Sequence, residues 1–79
     1  MLITLTLILT KSDTQIDIQV NPKQKIIDTL IILENNHKLS IEMGIECIRI
    51  KSKRRKEYIN AKLTFEQAEL YTGDCLLLI

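Results

Sequence analysis

The chain has 79 residues, of which 46% are hydrophobic and 27% charged, with two Gly and one Pro. This composition describes one small globular domain, residues 1–79, and excludes both a disordered chain and a loop-rich one. A net charge of +1 supplies no overall attraction to nucleic acid or to an acidic substrate, so a charge-driven role would have to come from local clustering.

The first predicted element is a strand over Met1 to Thr10. Ile3, Leu5, Leu7 and Leu9 fall on one face of a period-2 pattern, and Thr4, Thr6 and Thr10, with Leu2 and Ile8, fall on the other. The same stretch lacks the basic start and small-residue cleavage site of a signal peptide, so it is read as a strand. Lys11-Ser12-Asp13-Thr14 is a turn cluster, after which Ile16, Ile18 and Val20 alternate with Asp17 and Gln19. The two strands form an expected N-terminal hairpin. Asn21-Pro22 ends the second strand, because Pro has no N–H to donate and restricts the residue before it.

The period then changes. Ile26, Ile27, Leu30, Ile31 and Leu33 mark an amphipathic helix that starts near Gln24, with Ile32 on its flank. Glu34-Asn35-Asn36 ends it, Asn being tolerated in the left-handed position after a helix. His37 to Glu46 is a connection whose Leu39, Ile41, Met43 and Ile45 should tuck back toward the core. Ile48 and Ile50 alternate with Cys47, Arg49 and Lys51 as a third strand. The segment KSKRRK, Lys51 to Lys56, is a turn with five basic residues in six. Tyr58 and Ile59 suggest a short fourth strand, and Phe65, Ala68 and Leu70 have the spacing of a turn or two of helix. Tyr71-Thr72-Gly73-Asp74 is a loop before a last strand, Cys75 to Ile79. If that strand inserts beside the first, in parallel, both are central and their apolar character is explained. A single helix then covers one face of a mixed sheet, an α+β two-layer roll.

Catalytic and metal chemistry find little support in these residue types. Cys47 and Cys75 are too few and too far apart for a disulfide framework or a CxxC site, and read as reduced thiols. A nucleophilic Cys needs an oriented base, and His37, the single His, lies at the far end of the helix. No CxxC or HxxxH spacing offers a zinc site. The expectation is a protein that is not an enzyme and carries no metal and no cofactor. No apolar run reaches the ~20 residues needed to span a bilayer.

The MxIxLxL start, the Val20-Asn21-Pro22 exit into a helix, and the late Phe65…Leu70 turn before Leu76 and Leu78 resemble the ubiquitin-like β-grasp fold over essentially the whole chain. Within that superfamily, the entry Pro22…Ile26-Ile27-Asp28 and the pattern Phe65-x4-Leu70-x2-Gly73-Asp74-x-Leu76-x-Leu78 look most like the YukD-like accessory proteins of type VII (WXG100/ESX) secretion systems. The segment before Gly73 is about two residues longer than that pattern, and its KSKRRK turn more basic. The resemblance implies a β-grasp roll with a mixed four- to five-stranded sheet and one main helix. It also implies a bacterial, cytoplasmic accessory protein, peripheral to the inner face of a Gram-positive cell membrane, that works through protein–protein contacts as a monomer or weak homodimer. The partner it implies is the cytosolic face of a type VII secretion membrane complex.

Two rival functions follow from the same fold. A sulfur carrier or modifier needs a thin Gly-Gly end that can enter an active-site channel, whereas this sequence ends Leu77-Leu78-Ile79; a mature protein with that end is expected to be non-conjugated. A regulatory module could instead bind nucleic acid or anionic membrane through Lys51, Lys53, Arg54, Arg55 and Lys56, since clusters of 4–8 basic residues serve such surfaces. Nucleic acid is the weaker of these, because Tyr58 is the one aromatic nearby for stacking. A solvated hairpin tip accounts for the cluster equally. If Leu76 and Leu78 face the helix, then Cys75, Leu77 and Ile79 face outward beside Arg49 and Ile8, an apolar patch with a basic rim and the candidate partner surface.

Overall fold

The structure, a computed structural model, describes residues 1–39, 44 and 47–79. Among these described residues six elements follow one another: β1 (Ile3–Leu9), β2 (Thr14–Val20), α1 (Ile26–Asn35), β3 (Ile50–Ser52), β4 (Glu57–Ile59) and β5 (Cys75–Leu78). The strands form one sheet in the order β2-β1-β5-β3-β4. β1 lies antiparallel to β2 and parallel to β5, while β3 runs antiparallel to both β5 and β4. The last strand is therefore central, beside the first, as their shared apolar character predicts.

Alternation decides which face is buried. Leu5, Leu7 and Leu9 of β1, Leu76 and Leu78 of β5, and Ile50 of β3 point to one side and are buried against Ile26 and Leu30 of α1. Each of these aliphatic side chains contributes about 1.5–3 kcal/mol by leaving water. Phe65, Ala68 and Leu70 close the end of the core, and Leu39 joins it as expected of the connection after the helix. Ile41, Met43 and Ile45 lie outside the described residues. Ile31, placed in the apolar stripe by its spacing, is instead exposed together with Ile32, because the helix turns only its Ile26–Leu30 side squarely to the sheet.

The helix begins two residues later than its period suggests. Lys25 is extended, with φ −68° and ψ 141°, and pairs with Thr64 as an isolated bridge. The first helical N–H groups, which no turn of the helix can satisfy, donate to neighbouring chain: Ile26 to the Leu63 carbonyl at 3.0 Å and Ile27 to that of Ala61 at 2.9 Å. At the other end the left-handed position is taken by His37 (φ +58°), not by an Asn. His37 N–H bonds the Glu34 carbonyl and Lys38 N–H that of Leu33, the two-bond pattern that closes a Schellman end.

The Phe65–Leu70 stretch is a single turn, sharply defined at both ends. The Thr64 hydroxyl accepts from Gln67 N–H and the Gln67 amide oxygen accepts from Thr64 N–H, each at 3.0 Å, a capping box. Glu69 then takes the left-handed conformation (φ +56°), and Leu70 N–H returns to the Phe65 carbonyl. The left-handed Glu69 ends the stretch before a second turn can form.

Candidate functional site

Because β5 sits between β1 and β3, registration carries side chains from four strands into one line on the face away from the helix. Ile8 is level with Leu77, Leu77 with Lys51, and Lys51 with Tyr58. One step along, Arg49 and Ile79 exchange two backbone hydrogen bonds, Arg49 N–H to the Ile79 carbonyl at 3.0 Å and Ile79 N–H back at 2.8 Å. One step the other way, Cys75 lies between Thr6 and Lys53, whose N–H donates to the Cys75 carbonyl. The structure thus places Ile8, Arg49, Cys75, Leu77 and Ile79 on a common face, with Ile8, Cys75 and Leu77 half-buried and Arg49 and Ile79 exposed.

Three further residues give this face its character. The Tyr58 ring, 59% exposed, has Lys51 Nζ at 5.5 Å from its centroid and the Arg49 guanidinium at 6.0 Å, the range in which a cation is drawn to an aromatic face. Asp17 of β2 accepts from the Thr6 hydroxyl at 2.7 Å and puts a negative group at the opposite margin. The face is therefore apolar along Ile8 and Leu77, cationic and aromatic toward β4, and acidic toward β2. A shallow depression of about 350 Å³ lies at the β3–β4 margin, where Arg49 and Tyr58 meet the core-side residues Ile48, Ile50, Ile59 and Ala61. The sequence reads Tyr58 as part of a short fourth strand and as an aromatic near a basic run; its position one strand away from Lys51 is what recruits it to this face.

The basic turn divides. Arg54 Nε and Nη2 donate to the two carboxylate oxygens of Asp74 at 2.7 and 3.2 Å. Arg55 Nη2 donates to the Ala68 carbonyl, and its Nη1 lies 3.3 Å from Glu57 and 3.6 Å from Glu69. Both arginines therefore anchor the β3–β4 turn to the 64–74 segment. Of the remaining basic side chains, Lys51 is on the outer face, while Lys53 and Lys56 are exposed. Asp74 is buried and also accepts from Tyr71 N–H at 2.8 Å. The Arg54 hydrogen bonds, helped by that of Tyr71 and opposed by burial, hold its carboxyl below its ordinary value, and the same pairing raises Arg54.

The two thiols do not meet. Cys75 is level with Lys53 at one end of the β3–β5 pair, and Cys47 precedes Arg49 at the other. Among the described residues no group of three His, Cys, Asp or Glu side chains comes together as metal ligands, and no helix is long and apolar enough to cross a membrane.

Solved structures decide the fold. The chain superposes on the ubiquitin-like domain of Plasmodium falciparum Dsk2 with a TM-score of 0.74 at 17% identity, covering 99% of this chain and 96% of that one. Against the ubiquitin of Caldiarchaeum subterraneum the score is 0.75 at 14% identity, covering 100% and 92%. The fold is ubiquitin-like. A third match, the C-terminal ubiquitin-like domain of mouse tubulin-specific chaperone e, scores 0.68 at 16% identity over 98% and 84% of the chains. No protein-family model and no curated protein sequence matches the chain. The ubiquitin-like part of the resemblance read from the residues is thereby established at the level of fold; a relation to YukD-like proteins and type VII secretion draws no support from these matches.

Proposed function

We propose that this ubiquitin-like chain is a non-enzymatic protein-interaction module whose partner docks on the outer face of the sheet. The observation that carries this is the alignment of Ile8, Leu77, Lys51 and Tyr58 across four strands, with Arg49 beside it. Such a face offers an apolar strip for burial and a cationic, aromatic margin for directional contacts, the residue types that dominate binding energy at protein interfaces. The fitting partner is a protein segment with one apolar ridge and acidic residues along the side that meets Arg49 and Lys51.

Following the resemblance of the Phe65…Leu78 pattern to YukD-like proteins, we further propose that the partner is the cytosolic face of a type VII secretion membrane complex. The reading is tested by capturing solubilised membrane complexes of that kind with the wild-type chain and with Leu77→Asp and Arg49→Glu. Capture by wild type, and its loss in both variants, is the expected result. Equal capture by all three would discard the outer face as the interface, and no capture by wild type would discard the secretion partner.

The rival reading of a nucleic-acid or membrane module is weakened by the commitment of Arg54 and Arg55 to Asp74, Ala68, Glu57 and Glu69. Part of each guanidinium is thus already engaged within the chain, although Arg54 remains 53% exposed.

A further inference from the structure

The two margins of the sheet are built differently. β4 has three residues, follows directly on the Lys53–Lys56 turn, and carries Tyr58 with two cations near its ring; short length and flanking charge are how proteins close an edge to further pairing. β2 has seven residues, Thr14–Val20, with no Pro, Lys or Arg, and among the described residues no strand lies beyond it. Its one charge, Asp17, is turned back onto the Thr6 hydroxyl of β1.

The backbone directions of this open edge follow from its neighbours. Thr4 accepts from Gly73, while Thr6 and Thr10 donate to Asp74 and Leu78, so the even-numbered residues of β1 bond toward β5. The odd-numbered Ile3, Leu5, Leu7 and Leu9 therefore bond toward β2, where they are level with Val20, Ile18, Ile16 and Thr14. It follows that the N–H and C=O groups of Gln15, Asp17 and Gln19 point away from the sheet.

We propose that this edge pairs, antiparallel, with β2 of a second copy of the chain, about a two-fold axis at Ile18. Self-pairing is favoured because the strand carries its own complement. Centred on Ile18, Asp17 faces Gln19 of the other copy and exchanges both backbone bonds with it, while Ile18 faces Ile18 and Ile16 faces Val20. Apolar side chains then meet apolar ones on the inner side, where Ile16 and Ile18 are half-buried at the margin of the core, and an amide meets a carboxylate on the outer side. Centring on Asp17 would set two carboxylates directly opposite, which is unfavourable. Centring on Ile16 would oppose Thr14 to Ile18. A net charge of +1 per chain opposes association little. The contact is small, so the dimer is weak and concentration-dependent.

Sedimentation equilibrium of the full chain tests this, with twice 9.2 kDa expected at high concentration. Gln19→Lys places a cation opposite each Asp17 and tightens the dimer about tenfold; Gln19→Asp loosens it by about the same factor, since two cross-strand pairs change at once. Gln15→Lys leaves it unchanged. A wild-type chain that stays monomeric into the millimolar range overturns the proposal. So does a dimer indifferent to residue 19, or one tightened by Gln15→Lys instead, which would mark a different register or another surface.

Discussion

Arg54 grips Asp74 with two nitrogens on two oxygens, Nε to Oδ1 at 2.7 Å and Nη2 to Oδ2 at 3.2 Å, although Asp74 is only 6% exposed. The same residue holds Tyr71 N–H with its side chain and Thr6 N–H with its carbonyl. Its carboxylate thus joins the β3–β4 turn to the loop before β5, and its backbone carbonyl ties both to the central strand β1. Removing the carboxylate leaves the part-buried N–H of Tyr71 without its acceptor and Arg54 without its counter-charge. Asp74→Ala should cost about 1–3 kcal/mol in urea unfolding, with an unchanged slope if the change is in the native state.

The pH dependence follows from the sign of the shift. Asp74 is held below its ordinary value of 3.8, so its unfolded form takes up a proton before its folded form does. The stability it contributes is complete above that ordinary value and is lost as pH falls through the lower folded one. Melting curves of wild type and Asp74→Asn should differ most near neutrality and converge in acid. A gap that stays constant down to low pH would assign the stabilisation to packing and not to charge.

The capping box at Thr64 and Gln67 predicts that Thr64→Ala destabilises by ~1 kcal/mol. The loss should appear first as faster hydrogen exchange at Gln67 and Ala68, whose N–H groups bond to Thr64 side chain and carbonyl. Uniform change across the sheet would contradict a local cap.

His37 sits at φ +58° with an exposed side chain, a conformation that costs a residue with a Cβ about 1–2 kcal/mol. His37→Gly should therefore raise stability by up to ~1 kcal/mol after the entropy of Gly in the unfolded chain is counted, a rise of several degrees in Tm. Glu69→Gly, at φ +56°, should gain less, because Glu69 also approaches Arg55 at 3.6 Å.

Leu76 and Leu77 are neighbours in sequence with opposite duties. Leu76 is 1% exposed in the core, and Leu77 is half-buried on the outer face between Ile8 and Lys51. Leu76→Ala should cost about 2–5 kcal/mol, whereas Leu77→Asp should keep the fold, with a cost of ~1 kcal/mol or less, and abolish partner capture. Circular dichroism and thermal melts of the two variants separate these outcomes; unfolding of Leu77→Asp would make Leu77 a core residue and remove it from the proposed surface.

What the residues determine alone is local. Period-2 alternation in Ile3–Leu9 and Cys75–Leu78, the switch to helical spacing at Ile26, and the turns at Asn21-Pro22 and Gly73-Asp74 are properties of neighbours in the chain. They specify which side chains turn inward before any strand has found its partner. Strand registry, the stacking of Tyr58 under Lys51 and Arg49, and the return of Asp17 to Thr6 are decided only when distant segments close on one another. So is the fate of the basic run: as sequence, KSKRRK is a cluster of free cations, but closure of β5 beside β3 brings Asp74 within reach of Arg54 and the Ala68 carbonyl within reach of Arg55. A charge's availability depends on what the fold places within about 4 Å of it, and no spacing along the chain encodes that distance.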